Sequence, residues 1–297
     1  HAVLTAGLIL LLAIGEMDLL QAVVHAFATM STGGFSTEPT SIAGFGAYTQ
    51  WVITLFMFTA GANFALHYKA LRDPGVYAAN REFRLYLWIT LGGVVIVAGG
   101  LAAEFGLGDA LADATFTVVS ILTTTGFATA DFAMWRPALQ VVIVALMFFG
   151  GMAGSTSGAV KTYRIGILGK AGYADLQHFL NRRRVTNVSF GGRTVPAQIV
   201  ESVQTFFLFY MMLFMTGTFL LAFIDANVSE QLDLVTAASA AATSIGNVGP
   251  GLGAVGPTAN FGGLPDLGKW LLSGLMIVGR LEVFPVLVLF SPALWRR

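Results

Sequence analysis

Long stretches without formal charge alternate along this chain with short segments that hold most of the charge. Six apolar stretches stand out, at 1–15, 48–67, 85–103, 137–160, 202–224 and 271–290. A helix needs about 20 apolar residues to cross ~30 Å of hydrocarbon at a ~1.5 Å rise per residue. The pattern therefore predicts membrane spans. The first stretch is short, so the chain is expected to begin inside a span. It has no basic flank and no cleavage pattern, so it does not read as a signal peptide. Two of the stretches are interrupted. Gly150, Gly151, Gly154 and Gly158 fall within 137–160, and Arg280 and Glu282 fall within the last.

Three shorter amphiphilic runs lie between the spans and share one plan. The first leads from Asp18 to Ser31-Thr32-Gly33-Gly34-Phe35. The second leads from Asp113 to Thr124-Thr125-Gly126-Phe127. The third leads from Asp233 to Asn247-Val248-Gly249-Pro250-Gly251. Each is an acid, a run of 10–15 residues, a Thr/Asn–x–Gly cluster and then a span. Such a run is too short to cross and suits a re-entrant helix. Its C-terminal end would carry partial negative charge toward the midplane, which favours a cation. The glycine lets the backbone approach an ion, whose water the carbonyls replace. For one loop alone, an ordinary hairpin turn fits as well. Three loops in the same order weigh against it.

Composition narrows the class. Charged residues make up 11% of the 297, against ~25% in soluble domains, and hydrophobic residues 56%. Mean hydropathy is +0.75. These values exclude a soluble globular enzyme, a disordered chain and a nucleic-acid binder with a basic face. The absence of cysteine excludes disulfides and thiolate metal sites. The 16 basic and 16 acidic residues cancel as a sum but not by position. Thirteen basic residues fall in connections on one side, among them Lys69, Arg81, Lys161, Arg182, Arg183, Arg184 and the terminal Arg296 and Arg297. The positive-inside rule makes that side cytoplasmic. Eleven acids, including Glu16, Asp18, Glu38 and Glu230, fall on the other. Retention of basic loops accounts for this, and an acidic mouth that concentrates cations is the sharper reading.

The glycines of 150–158 read either as close packing between helices or as a segment opened at mid-membrane. Arg280, about ten residues into the last span, is a functional candidate by its depth. An ion pair with another helix is the structural alternative. Glu201 reads as a helix cap, and His25, Asn63 and His67 as packing or interfacial residues. Gly154-Ser155-Thr156-Ser157-Gly158 lacks the serine of a nucleophile elbow. No nucleotide or metal signature occurs, so no catalytic residues are expected. Arg182-Arg183-Arg184 suit anionic headgroups or a soluble partner.

The three Gly loops, Gly150–Lys161 and Gly279-Arg280-Leu281-Glu282 together resemble the Trk/Ktr/HKT superfamily of potassium transporters, and within it the TrkH-type membrane subunit. The resemblance implies an all-α polytopic membrane protein. Tandem helix–pore-loop–helix repeats would stand pseudo-fourfold around one pore. The chain would hold repeats two to four, at 1–72, 73–166 and 197–297, with a basic cytoplasmic linker at 167–196. Residues before His1 would supply the first repeat. The implied filter is Thr32, Gly33, Thr125, Gly126, Val248 and Gly249. The implied gate is Gly151, Gly154, Ser155, Thr156, Ser157 and Gly158 with a buried Arg280. Glycine in all three loops implies potassium over sodium. Potassium is the transported ion, with no organic cofactor. The implied partners are membrane lipid, a second copy as a homodimer, and a cytoplasmic nucleotide-binding regulatory subunit, with no nucleic acid. The implied place is the bacterial inner membrane. The alternative is a cation-coupled secondary transporter (a symporter) with broken helices, whose breaks would come in inverted pairs. Three loops entering from one side disfavour it.

Overall fold

The computed structural model describes residues 1–181, 187–226 and 232–295. Arg182, Arg183, Arg184, Glu230, Arg296 and Arg297 lie outside the described residues. The described chain is mostly helical, and among the described residues its strands form one two-stranded antiparallel hairpin, β1 (Ser189–Phe190) and β2 (Arg193–Thr194).

The first unit is α1 (Ala2–Ile14), α2 (Leu19–Met30) and α3 (Ala47–Ala60). Asp18 starts α2 with a capping box: its carboxylate accepts from Gln21 N, while the Gln21 side chain accepts from Asp18 N. The stretch expected as one span at 48–67 is two helices. After α3 the chain breaks at Gly61-Ala62-Asn63, turns by 101° and continues as α4 (Phe64–Ala70). Asn63 caps α4, accepting from Ala65 N and Leu66 N. His67, on α4, bonds the Thr59 carbonyl at 2.9 Å and the Tyr77 hydroxyl at 2.7 Å, which staples the bend. Tyr77 lies on α5 (Val76–Ala79).

The second unit is α6 (Arg81–Phe105), α7 (Leu107–Leu122) and α8 (Pro137–Met147). Gly106, at φ +79°, ends α6 and starts α7 directly. The expectation that Asp113 starts this short helix is thereby corrected. Asp109 is the acid of its first turn and Asp113 lies further along. Pro137 opens α8, where its missing N–H costs nothing. α8 stops at Met147, and the chain stays open until α9 (Thr162–Leu180).

The third unit is α10 (Ala197–Ala226), α11 (Leu234–Gly246) and α12 (Asp266–Arg280). Asp233 caps α11 by accepting from Thr236 N at 2.9 Å. The last expected span is also broken. Glu282 and Val283, both at φ near +60°, separate α12 from α13 (Phe284–Leu289), and α14 (Pro292–Trp295) follows.

By length and composition, α6 and residues Ala197–Ile224 of α10 suffice to cross a membrane, and the bent pair α3–α4 makes a third candidate. The short helices α2, α7 and α11 run through the interior. Most of the last turns of α7 and α11 are buried, and three apolar clusters pack around them.

Candidate functional site

The three short helices end alike. One or two residues past the C-terminus, a non-glycine residue takes the left-handed conformation: Thr32 at φ +54°, Thr124 at +55° and Asn247 at +55°. The next residue's N–H reaches back five residues, Gly33 to the Ala28 carbonyl, Thr125 to Ser120 and Val248 to Thr243, at 2.7–2.9 Å. A glycine at positive φ follows each time: Gly34 at +64°, Gly126 at +86° and Gly249 at +122°.

This register corrects one expectation. In the first loop the equivalent of Gly126 and Gly249 is Gly34, not Gly33. Gly33 corresponds to Thr125 and Val248, and Thr32 to Thr124 and Asn247. Two adjacent glycines hid the shift. The Thr/Asn–x–Gly spacing already held the correct alignment.

The glycines are held against the neighbouring loop. A Cβ on Gly34 would lie 2.0 Å from the Thr125 carbonyl oxygen, and one on Gly126 would lie 2.1 Å from the Val248 carbonyl oxygen. Each carbonyl thus occupies the space a side chain would fill on the loop before it. All six expected filter residues, together with Gly34, line one cavity of about 800 Å³. Three helix C-termini converge there with their partial negative charge. Arg280 is the only charged residue among those lining it.

Residues 148–162 form a tied loop rather than a helix. Gly150 N donates to the Val160 carbonyl and Val160 N to the Phe148 carbonyl. The Ser155 and Ser157 hydroxyls bond each other at 2.7 Å, and Gly151 N donates to Ser157 Oγ. The Lys161 ammonium donates to the Ser157 carbonyl. The loop also fastens to all three short-helix ends. Thr156 Oγ1 donates to the Met30 carbonyl at 3.2 Å. Gly158 N donates to Thr124 Oγ1 at 2.6 Å, and Ala159 N to the Gly246 carbonyl at 3.0 Å.

Its other edge rests on the α3–α4 break. Met152 N donates to the Gly61 carbonyl at 2.8 Å, and Phe64 N to the Gly154 carbonyl at 3.3 Å. Asn63 Nδ2 donates to the Ala153 carbonyl at 2.6 Å, so Asn63 does more than pack. Glu82 accepts from Ala153 N at 2.7 Å. Sequence reasoning missed both anchors, although a polar Asn63 after Gly61 in an apolar run was the available signal.

Arg280 is exposed at the cavity wall, which corrects the expectation of a buried arginine. It lines the large cavity and also a smaller one of about 200 Å³, walled by Ser155, Thr156, Ser157 and Gly158. Gly151 and Gly154 lie behind, against the α3–α4 break. Among the described residues, Glu282 rather than Arg280 forms the ion pair with another helix. It meets Arg164 at 2.5 Å, and the Arg164 guanidinium also lies over the Phe206 ring.

These features define an all-α polytopic membrane protein whose tandem short helices converge on an internal cavity. The chain belongs to the TrkH family, described as a cation transport protein, whose model matches residues 9–88 and 94–297. It is similar to the Trk system potassium uptake protein TrkH of Escherichia coli K12, 38% identical over all of this chain and 61% of that protein. It is also similar to TrkI of the Trk system of Halomonas elongata, 35% identical over 96% of this chain and 58% of that protein. The crystal structure of the potassium transporter TrkH from Vibrio parahaemolyticus superposes with a TM-score of 0.91 at 33% identity. That match covers 99% of this chain and 63% of the other. The chain thus spans about three fifths of the length of these relatives.

Proposed function

We propose that this chain forms most of the wall of a potassium pathway across the bacterial inner membrane. The observation that carries this reading is the interlock of Gly34 with the Thr125 carbonyl and of Gly126 with the Val248 carbonyl at one cavity. Backbone carbonyls held at fixed spacing can replace the water of a dehydrated cation. The converging helix ends supply a favourable potential. The relatives named above are potassium uptake proteins, which fits the same ion.

In this reading the filter is built from Thr32, Gly33 and Gly34, Thr125 and Gly126, and Val248 and Gly249. The three units correspond to repeats two, three and four of a pseudo-fourfold pore. The loop with Ser155, Thr156, Ser157 and Gly158 closes the path beneath the filter, with Gly151 and Gly154 as its anchors. Arg280 stands between the two cavities as a cationic barrier. The basic connections and the C-terminus face the cytoplasm. A second copy completes a homodimer, and a nucleotide-binding regulatory subunit docks on the basic face.

The test is cation uptake into liposomes by the purified protein carrying Gly126→Ser. The added hydroxymethyl group meets the Val248 carbonyl, so potassium preference over sodium should fall by roughly tenfold or more, as when a close-fitting carbonyl site is disturbed. An unchanged preference refutes the filter assignment.

A further inference from the structure

A groove runs along the outside of the helical body between α6 and α9, away from the ion cavity. Arg81, Arg84 and Trp88 of α6 line one side, Ile165 and Lys170 of α9 the other, and Phe190 of β1 closes one end. It encloses about 560 Å³ and is lined almost wholly by apolar surface, and no carboxylate lines it. Two glycines of α9 shape it. A Cβ on Gly166 would strike the Phe190 ring, while a Cβ on Gly169 would meet nothing within 4 Å.

The cations at the rim are free to act outward. Arg81 and Arg84 are exposed, and neither forms an ion pair among the described residues. Glu82, between them in sequence, is turned inward onto Ala153 N. Lys170 is held at the rim, donating to the Ser189 carbonyl and lying 6.0 Å from the Phe190 ring centre.

Depth places this rim among headgroups. The 25 residues of α6 extend about 37 Å, more than the ~30 Å hydrocarbon core. The charge-free part of α6 starts only at Leu85, so the turn holding Arg81 and Arg84 falls at the headgroup edge of the span. Trp88, 68% exposed, lies one turn past Arg84, about 6 Å along the axis, where an interfacial indole is favoured.

We propose that this groove binds one anionic phospholipid, its phosphate against Arg81, Arg84 and Lys170 and an acyl chain along Trp88 and Ile165. Basic pockets between membrane helices recognise such headgroups. The apolar floor requires a chain as well as a phosphate, which a free anion lacks.

The test uses Trp88 as the reporter. The purified protein is placed in phosphatidylcholine vesicles holding a minor fraction of brominated phosphatidylglycerol or brominated phosphatidylcholine. Quenching is read as the difference between the parent and Trp88→Phe. The anionic lipid should quench Trp88 at a roughly fivefold lower fraction than the zwitterionic one, the contribution of about one well-placed cation. R81Q/R84Q/K170Q should bring the two lipids level. Gly169→Leu fills the groove without changing charge and should weaken quenching by both. It decides the matter alone if the triple variant does not fold. Equal quenching of the parent by both lipids, or no effect of Gly169→Leu, would overturn the proposal.

Discussion

Thr32, at the end of the first short helix, donates its hydroxyl hydrogen bond to the backbone carbonyl of Thr156 at 2.9 Å, 124 residues away. The same loop donates to the ends of the other two short helices, from Gly158 N to Thr124 Oγ1 and from Ala159 N to the Gly246 carbonyl. The candidate filter and the candidate gate therefore share hydrogen bonds directly, with no intervening helix.

The loop should open more readily when one fastener is removed. Thr124→Val deletes the acceptor for Gly158 N. Each such hydrogen bond contributes about 1 kcal/mol, so rubidium flux into liposomes should rise roughly fivefold. Flux at or below the parent, with normal expression, would count against the loop as the barrier.

The corrected register makes opposite predictions for adjacent glycines. Gly34→Ala forces a Cβ to 2.0 Å from the Thr125 oxygen at positive φ. Gly33→Ala meets only ordinary or slightly tight contacts, 3.2 Å at the nearest, with φ outside the left-handed region. Uptake should fall more than about tenfold for Gly34→Ala and stay within about threefold for Gly33→Ala, since only the former combines overlap with left-handed strain. The reverse order would restore the unshifted alignment.

Arg280→Ala removes the one formal charge from a cavity of about 800 Å³ that is otherwise lined by neutral groups. Cation flux should rise, by roughly tenfold if the charge costs an ion about 1.4 kcal/mol at a partly solvated distance. Unchanged or lower flux at equal protein level would assign Arg280 another role.

Asn63 serves two partners at the α3–α4 bend. Asn63→Ala should lower stability by about 1–2 kcal/mol, the ordinary cost of losing a cap, read as a lower thermal midpoint in detergent. Asn63→Asp keeps the acceptor for Ala65 N and Leu66 N but loses the donor to Ala153. It should recover only part of the loss.

Much of this arrangement was legible from residue order. Asp18 and Asp233 mark helix starts because a carboxylate accepts from exposed N–H groups, and the structure has both as caps. The glycines around 150–158 foretold an opened segment, which is what lies between α8 and α9. Three features were not legible, each for a physical reason. The α3–α4 break has a single glycine in an apolar run, and tertiary bonds to Met152 and Ala153 stabilise it. The α12–α13 break rests on Glu282 and Val283 at positive φ, residue types that give no signal of it. The start of α7 depends on Gly106, hidden by the stronger signal of Asp113. The filter and gate residues were proposed by resemblance. The structure brings the candidate filter residues to one cavity and sets Gly34, rather than Gly33, in register with Gly126 and Gly249.

The placing of one loop's carbonyl into the space of its neighbour's missing side chain means that neither loop can change there alone. Here a methyl group gained at Gly34 must be answered by a shift at Thr125, and one at Gly126 by a shift at Val248. A change at either glycine therefore involves two loops at once, and the flanking helices are not tied in this way. Gly249 faces no neighbouring carbonyl in this way, its added Cβ lying no nearer than 3.6 Å to any atom, and its φ of +122° alone strains a side chain there.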